Sequence, residues 1–74
     1  MDMTKPTADL GNWIALPDRE NPTHFVGAVA NHTRQDEFHA DVQRTSQVIE
    51  VDYVKGLLET RNTIYRLGKP AHIL

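Results

Sequence analysis

The chain has 74 residues, of which 39% are hydrophobic, so it can bury one small core and is too short for a second domain. It contains no cysteine, which excludes disulfides and thiolate metal sites and is typical of a reducing compartment. The formal net charge of −2 is unevenly divided, because seven of the ten acidic residues precede residue 42.

The first part of the chain predicts two strands after a flexible lead-in. Residues 1–9 show no apolar periodicity, so we expect the single small β domain to comprise residues 10–74. The apolar run at residues 12–16 stops at a proline and predicts a strand. Residues 23–30 alternate β-branched and aromatic side chains with smaller ones, which predicts a second strand.

Residues 31–41 have no clean period. Phe38 is their only large apolar residue, and Thr33 followed by acidic residues is compatible with one short helical turn near residues 33–40. We expect a polar loop here with at most that single turn.

The second half predicts three further strands. Alternating apolar residues predict a strand at 48–53, the glycine at 56 allows a turn, and residues 57–60 return as its antiparallel partner. Residues 63–67 predict the last strand. A helix across 51–64 is the alternative, because apolar residues recur at helical spacing within 54–61, but the glycine costs a helix about 1 kcal/mol.

Five short strands joined by tight turns predict an all-β fold in which an antiparallel meander curls into a small, SH3-like, partly open barrel. We expect its core to contain apolar residues from most of these strands: Trp13, Phe25, Ile49, Val51, Leu58, Tyr65 and Leu67.

The sequence contains no recognisable catalytic or metal-binding motif. His32, Asp36 and His39 are the only cluster that invites a metal hypothesis, and we expect neither a metal nor another cofactor. The only serine, Ser46, lacks a nucleophile motif, and we expect a protein that is not an enzyme. No apolar run approaches the about 20 residues of a membrane span, and the first four residues do not resemble a signal peptide, so we expect a cytoplasmic protein without membrane contact.

Two segments in the second half carry a family resemblance. The sequence Arg44-Thr45-Ser46-Gln47-Val48, followed by Thr60-Arg61-Asn62-Thr63-Ile64-Tyr65-Arg66-Leu67-Gly68, resembles the pattern R-T-S-x-V then T-x-x-x-x-Y-x-L-G of short uncharacterised phage and prophage proteins. This family supplies no catalytic residues. The resemblance implies a phage accessory protein in a bacterial host cell, of a size that commonly acts by stoichiometric binding, as anti-CRISPR proteins do.

The leading hypothesis is therefore a non-enzymatic phage inhibitor that binds a host protein complex, such as a CRISPR-Cas effector, through an acidic surface. Carboxylates at such a surface would speed association with a partner surface that normally holds nucleic acid. The predicted partner-binding residues are five acids and two apolar anchors: Asp18, Glu20, Asp36, Glu37, Asp41, Trp13 and Phe38.

Two alternatives remain open. A small barrel could bind nucleic acid directly, as a phage regulator, through four basic residues and one aromatic residue: Arg44, Arg61, Tyr65, Arg66 and Lys69. Cross-strand pairing of these arginines with Glu50, Asp52 and Glu59 is the structural explanation of the same residues. A homodimer formed by pairing of sheet edges is the other alternative.

Overall fold

The computed structural model describes residues 4–31, Thr33 and residues 42–71. Six strands are formed: β1 (Thr7–Leu16), β2 (His24–Ala30), β3 (Val42–Arg44), β4 (Val48–Asp52), β5 (Leu57–Thr60) and β6 (Ile64–Leu67). None of the described residues is helical, so the all-β prediction is confirmed and the helix considered across 51–64 does not form. Apart from Thr33, which lies in a turn, the helical turn expected near 33–40 falls outside the described residues.

The strands form one mixed sheet in the order β3-β2-β1-β6-β5-β4. Every neighbouring pair is antiparallel except β1 and β6, which run parallel from Thr7 opposite Ile64 to Leu10 opposite Leu67. A meander contains no such parallel pair. The sheet therefore keeps the predicted hairpin of β4 and β5 but joins the two halves of the chain through a long-range contact.

The parallel pairing depends on residues that were expected to precede the domain. The predicted lead-in differs from the structure over Thr7–Asp9, because these residues already belong to β1. Ala8 and Leu10 are fully buried and alternate with the more exposed Thr7 and Asp9, which is the two-residue period of a half-buried strand. This pattern is only four residues long and contains one large apolar residue, which is why it is inconspicuous in the sequence.

The sheet is curled, as its connections require. β3 and β4 lie at opposite ends of the strand order, yet only residues 45–47 separate them in the chain. The two edges consequently meet at this link, where the Val48 amide donates to the Thr23 carbonyl at 2.8 Å. The described residues form no ladder between β3 and β4, so the sheet is not closed into a barrel.

The core lies on the concave side of the curled sheet. Its buried apolar residues come from four strands, and three partly buried residues pack against them: Ala8, Leu10, Trp13, Ala15, Phe25, Val29, Leu58 and Tyr65, with Val48, Val51 and Leu67. Burial of Trp13, Phe25, Leu58 and Tyr65 confirms most of the predicted core. The prediction for Ile49 is wrong: its side chain is 56% exposed, because the β4–β5 register shifts between Val48 and Glu50 and breaks the alternation.

A second irregularity shapes β1. The pairing with β2 shifts between Gly11 and Ile14, and Asn12 has a φ of 47°, which marks a bulge. Gly27 lies opposite this bulge, and a β-carbon there would approach the Gly11 carbonyl oxygen to 2.7 Å. Glycine at position 27 therefore lets the two backbones come close, and the bulge re-aims Trp13 into the core.

Candidate binding groove

An open groove of about 840 Å³ lies at the end of the sheet where the β4–β5 turn meets the end of β6. Its volume is in the range of sites that bind small molecules or short peptide segments. We call it the aromatic groove, defined by its lining residues: Trp13, Arg19, Glu20, Val51, Tyr53, Gly56, Leu67, Gly68 and Pro70.

Stacked aromatic rings form the floor and one wall of the aromatic groove. The rings of Trp13 and Tyr53 are stacked, with centroids 5.9 Å apart and planes 21° apart, and Phe25 packs against Trp13 at 5.3 Å. The Trp13 indole Nε1 donates to the Gly68 carbonyl at 2.8 Å, which fixes the orientation of the ring. Trp13 is only 5% exposed whereas Tyr53 is 41% exposed, so Tyr53 presents the accessible ring.

The loop between β1 and β2, residues 17–23, borders the groove. The Arg19 guanidinium carbon lies 4.9 Å from the centroid of the Trp13 ring, within cation–π range. The Tyr53 hydroxyl donates to the Arg19 carbonyl at 2.8 Å and so ties the loop to the end of β4. Within the loop, Asp18 Oδ1 accepts bonds from the Glu20 amide at 3.0 Å and the Asn21 amide at 2.8 Å.

The Tyr53 phenol serves as a hydrogen-bond donor. Burial raises the pKa of Tyr53; the nearby Arg19 charge opposes that rise and the Asp18 charge adds to it. The phenol is therefore protonated at neutral pH and retains the proton that it donates to the loop.

The two charged side chains of the groove lining are not paired within the described residues, unlike the side chains that form ion pairs elsewhere. Among the described residues, the side chains of Arg19 and Glu20 form no ion pair and no hydrogen bond. Lys5, by contrast, binds Glu59 at 2.6 Å and the Thr60 carbonyl at 2.8 Å. The groove thus presents one guanidinium and one carboxylate whose donors and acceptors are available to a ligand.

The predicted acidic surface is only partly within the described residues. Asp18 and Glu20 lie in the exposed loop beside the aromatic groove. Asp36, Glu37, Asp41 and the predicted anchor Phe38 fall outside the described residues. Trp13, the other predicted anchor, is buried in the core, so it forms the floor of the groove instead of projecting towards a partner.

The basic residues of the nucleic-acid alternative do not share one face with an accessible ring. Tyr65 is 7% exposed and belongs to the core, because it lies opposite Leu58 and Ala8 in the sheet, so its ring cannot stack on a base. Arg66 pairs with Asp9 at 2.5 Å, and this hydrogen bond holds the pKa of Asp9 below its usual value. The other three basic residues are exposed, on β3, in the β5–β6 turn and after β6: Arg44, Arg61 and Lys69.

The prediction that these arginines pair with acidic residues is only partly correct. Arg44 Nη2 lies 3.3 Å from His24 Nδ1, so its polar neighbour is a histidine on β2. Glu59, one of the acidic residues expected to pair with an arginine, pairs with Lys5. The sheet places Asp9 opposite Arg66 through the parallel pairing that the sequence pattern does not reveal.

The two segments of the phage-like pattern meet at the opposite end of β4–β6. We call this region the threonine corner, defined as residues 45–47 and 60–63. The Thr45 hydroxyl accepts from the Phe25 amide at 3.0 Å and donates to the Ser46 carbonyl at 2.9 Å. The Thr60 hydroxyl donates to the Thr63 carbonyl at 3.1 Å and accepts from the Thr63 amide at 3.2 Å.

Two further hydrogen bonds join the segments to each other. The Arg61 amide donates to the Gln47 carbonyl at 3.1 Å, and the Asn62 amide donates to Ser46 Oγ at 3.3 Å. Ser46 therefore has the same role as the threonines, which is to satisfy backbone groups. The residues that carry the resemblance support the fold of this corner.

The described residues contain neither a candidate metal site nor a candidate membrane span. No three of their histidine and acidic side chains come together as a metal site, and the hypothetical cluster of His32, Asp36 and His39 falls outside the described residues. Within the same part of the chain there is no helix with the length and apolarity that a membrane span needs. Sequence reasoning also overlooked Arg19 and Tyr53, because their contact depends on the tertiary packing of the loop against β4.

Comparison of the chain with protein-family models, curated proteins and solved structures gives no match. The geometry of the aromatic groove and the charges beside it are therefore the features that bear on function.

Proposed function

We propose that this chain is a non-enzymatic phage protein that acts in the cytoplasm of a bacterial host by binding a host protein complex, with a CRISPR-Cas effector as the first target to test. The observation that carries the proposal is the aromatic groove with the acidic residues Asp18 and Glu20 on the adjoining loop. The phage-like pattern supports the phage origin.

Binding suits the groove better than catalysis. Its titratable phenol, on Tyr53, is held by a backbone carbonyl and has a pKa raised by burial, which opposes a role as a base. Its other groups are an aromatic floor, apolar side chains, glycine backbone and the side chains of Arg19 and Glu20. Aromatic residues in a partly apolar depression are typical of the anchoring region of protein interfaces.

The loop charges suit a basic partner. Surfaces that hold nucleic acid are rich in lysine and arginine, and an acidic protein surface attracts them over a distance of about 8–10 Å at physiological ionic strength. Asp18 and Glu20 lie on the exposed loop that borders the groove. Occupation of such a surface would exclude the nucleic acid and inhibit the complex without any covalent chemistry.

The test is a titration of the purified chain into DNA-cleavage reactions of a panel of CRISPR-Cas effectors. We expect inhibition of at least one effector that saturates near one chain per effector, and direct binding with matching stoichiometry. Absence of both binding and inhibition across the panel would refute the proposed target class.

Variants locate the interface. Glu20→Lys and Tyr53→Ala should each weaken binding at least tenfold. Glu50→Lys is the matched control, because it makes the same charge change on an exposed β4 residue that does not line the groove. An equal loss for Glu50→Lys and Glu20→Lys would show that general charge attraction, and not the groove, determines the binding.

A further inference from the structure

We propose that the aromatic groove receives an arginine side chain of the partner, whose guanidinium takes the place that Arg19 now occupies over Trp13, in a lining that also contains the Tyr53 ring and the Glu20 carboxylate. The inference rests on the proposed function, because it names the chemical group through which a basic partner would be recognised.

Arg19 shows that the groove accommodates this group. Its guanidinium carbon is 4.9 Å from the Trp13 ring centroid, and the Tyr53 ring is stacked on the same indole with centroids 5.9 Å apart. A planar guanidinium stacks on aromatic faces, whereas the compact ammonium of lysine is more strongly hydrated and stacks less well. Arg19 therefore occupies the position that we assign to the arginine of the partner.

The Arg19 side chain can leave without unfolding the loop. The loop is held through main-chain groups: the Arg19 carbonyl accepts from Tyr53, and the amides of Glu20 and Asn21 donate to Asp18. Among the described residues, the guanidinium itself has no ion pair and no hydrogen bond. Its contact with Trp13 is a single cation–π interaction, which is readily exchanged for that of another guanidinium.

The charge that remains in the groove lining, once the Arg19 side chain has left, favours a cationic ligand. Arg19 and Glu20 are the charged residues of the groove lining, so departure of the Arg19 side chain leaves the Glu20 carboxylate as the charge that faces the ligand. A carboxylate and a guanidinium can form two parallel hydrogen bonds, which adds geometric selectivity to the attraction. The groove is also open, so an extended segment can carry the arginine into it.

The probe is the peptide acetyl-Gly-Arg-Gly-amide, with the citrulline peptide as a control of almost the same shape but no charge. Trp13 is the only tryptophan, so its indole N–H signal in NMR spectra reports directly on the groove floor. We expect the arginine peptide to shift this signal and those of Tyr53 and Gly68, with an affinity at least tenfold higher than that of the citrulline peptide. Equal effects of both peptides would overturn the proposal.

Two variants test the exchange itself. Arg19→Ala removes the internal competitor and should tighten binding of the arginine peptide at least threefold, while Glu20→Gln should weaken it by a similar factor. If Arg19→Ala abolishes binding instead, Arg19 takes part in holding the ligand and the proposed exchange is wrong.

The peptide experiment and the effector experiment can fail separately. Peptide binding with the expected variant pattern, but without inhibition of any effector, would retain the arginine site and reject the effector target. Inhibition that depends on Tyr53 and Glu20, without any peptide binding, would retain the target and reject the arginine site.

Discussion

The two ends of strands β4–β6 satisfy their chemical groups in different ways. At the threonine corner, the hydroxyls of Thr45 and Thr60 bond to backbone groups, and both residues are buried. At the aromatic groove, Tyr53 is substantially exposed and the side chains of Arg19 and Glu20 have no polar partner among the described residues. The threonine hydroxyls of the first end are bonded within the protein, whereas the charged side chains of the second end have no such bonds within the described part of the chain.

The phage-like pattern is concentrated at the threonine corner. Its residues form the threonine corner and β6, and only Leu67 and Gly68 reach the groove lining. Most of the groove instead comes from β1, the adjoining loop and the β4–β5 turn, which lie outside the pattern. The pattern therefore belongs to the framework, and the proposed binding surface is built on that framework by other parts of the sequence.

The largest expected effect on stability is the difference between a core substitution and a substitution in the groove wall. Leu58→Ala removes a fully buried side chain and should lower the free energy of unfolding by about 2–5 kcal/mol, a large part of the 5–15 kcal/mol that is typical of a small domain. Leu67→Ala should cost only about 1–2 kcal/mol, because Leu67 is partly buried at the open end. Urea denaturation measures both values, and equal losses would mean that the groove end is packed as tightly as the core.

A smaller effect is expected for a polar change at the threonine corner. Thr60→Val keeps the shape of a fully buried side chain but leaves the Thr63 amide without the hydroxyl that accepts from it, which should cost about 1–3 kcal/mol. Ser46→Ala is the control, because Ser46 is less buried and accepts one long bond, and it should cost less than about 1 kcal/mol. Thermal melts that rank Ser46→Ala as the more damaging variant would contradict this account of the corner.

The smallest effect on stability is expected at the groove, where the consequence is local. Tyr53→Phe removes the hydrogen bond to the Arg19 carbonyl and should cost at most about 0.5–1.5 kcal/mol. Amide hydrogen exchange should accelerate at Glu20 and Asn21 while the exchange of β6 is unchanged. Val54→Ala, at a turn residue that is 98% exposed, should alter neither, and unchanged exchange in Tyr53→Phe would show that the phenol does not hold the loop.

Much of the fold follows from local patterns in the sequence. The two-residue period predicts β2, β4, β5 and β6 to within two residues at each end. The early start of β1, its parallel pairing with β6 and the outward turn of Ile49 were not predicted. The pairing depends on residues far apart in the chain, and the position of Ile49 depends on a bulge, and neither leaves a periodic signal.

The candidate site was predictable only in part. The loop between Pro17 and Pro22 has the composition of an exposed turn; Glu20 of this loop lines the groove, and Asp18 lies in the same exposed loop. The two-residue period places Tyr53 on the same strand face as Val51, and both residues line the groove. The stacking of Tyr53 on Trp13 and its hydrogen bond to Arg19 join residues far apart in the chain, and such contacts leave no periodic signal.

The parallel pairing of β1 and β6 also has a consequence for biosynthesis. β1 lies inside the sheet, and its second neighbour is 57 residues later in the chain, from Thr7 to Ile64. A nascent chain on a ribosome can form the β1–β2 hairpin, but β1 keeps one unpaired edge until β6 has left the exit tunnel. Completion of the sheet must therefore follow translation of Leu67, and before that point the open edge of β1 is a target for chaperones.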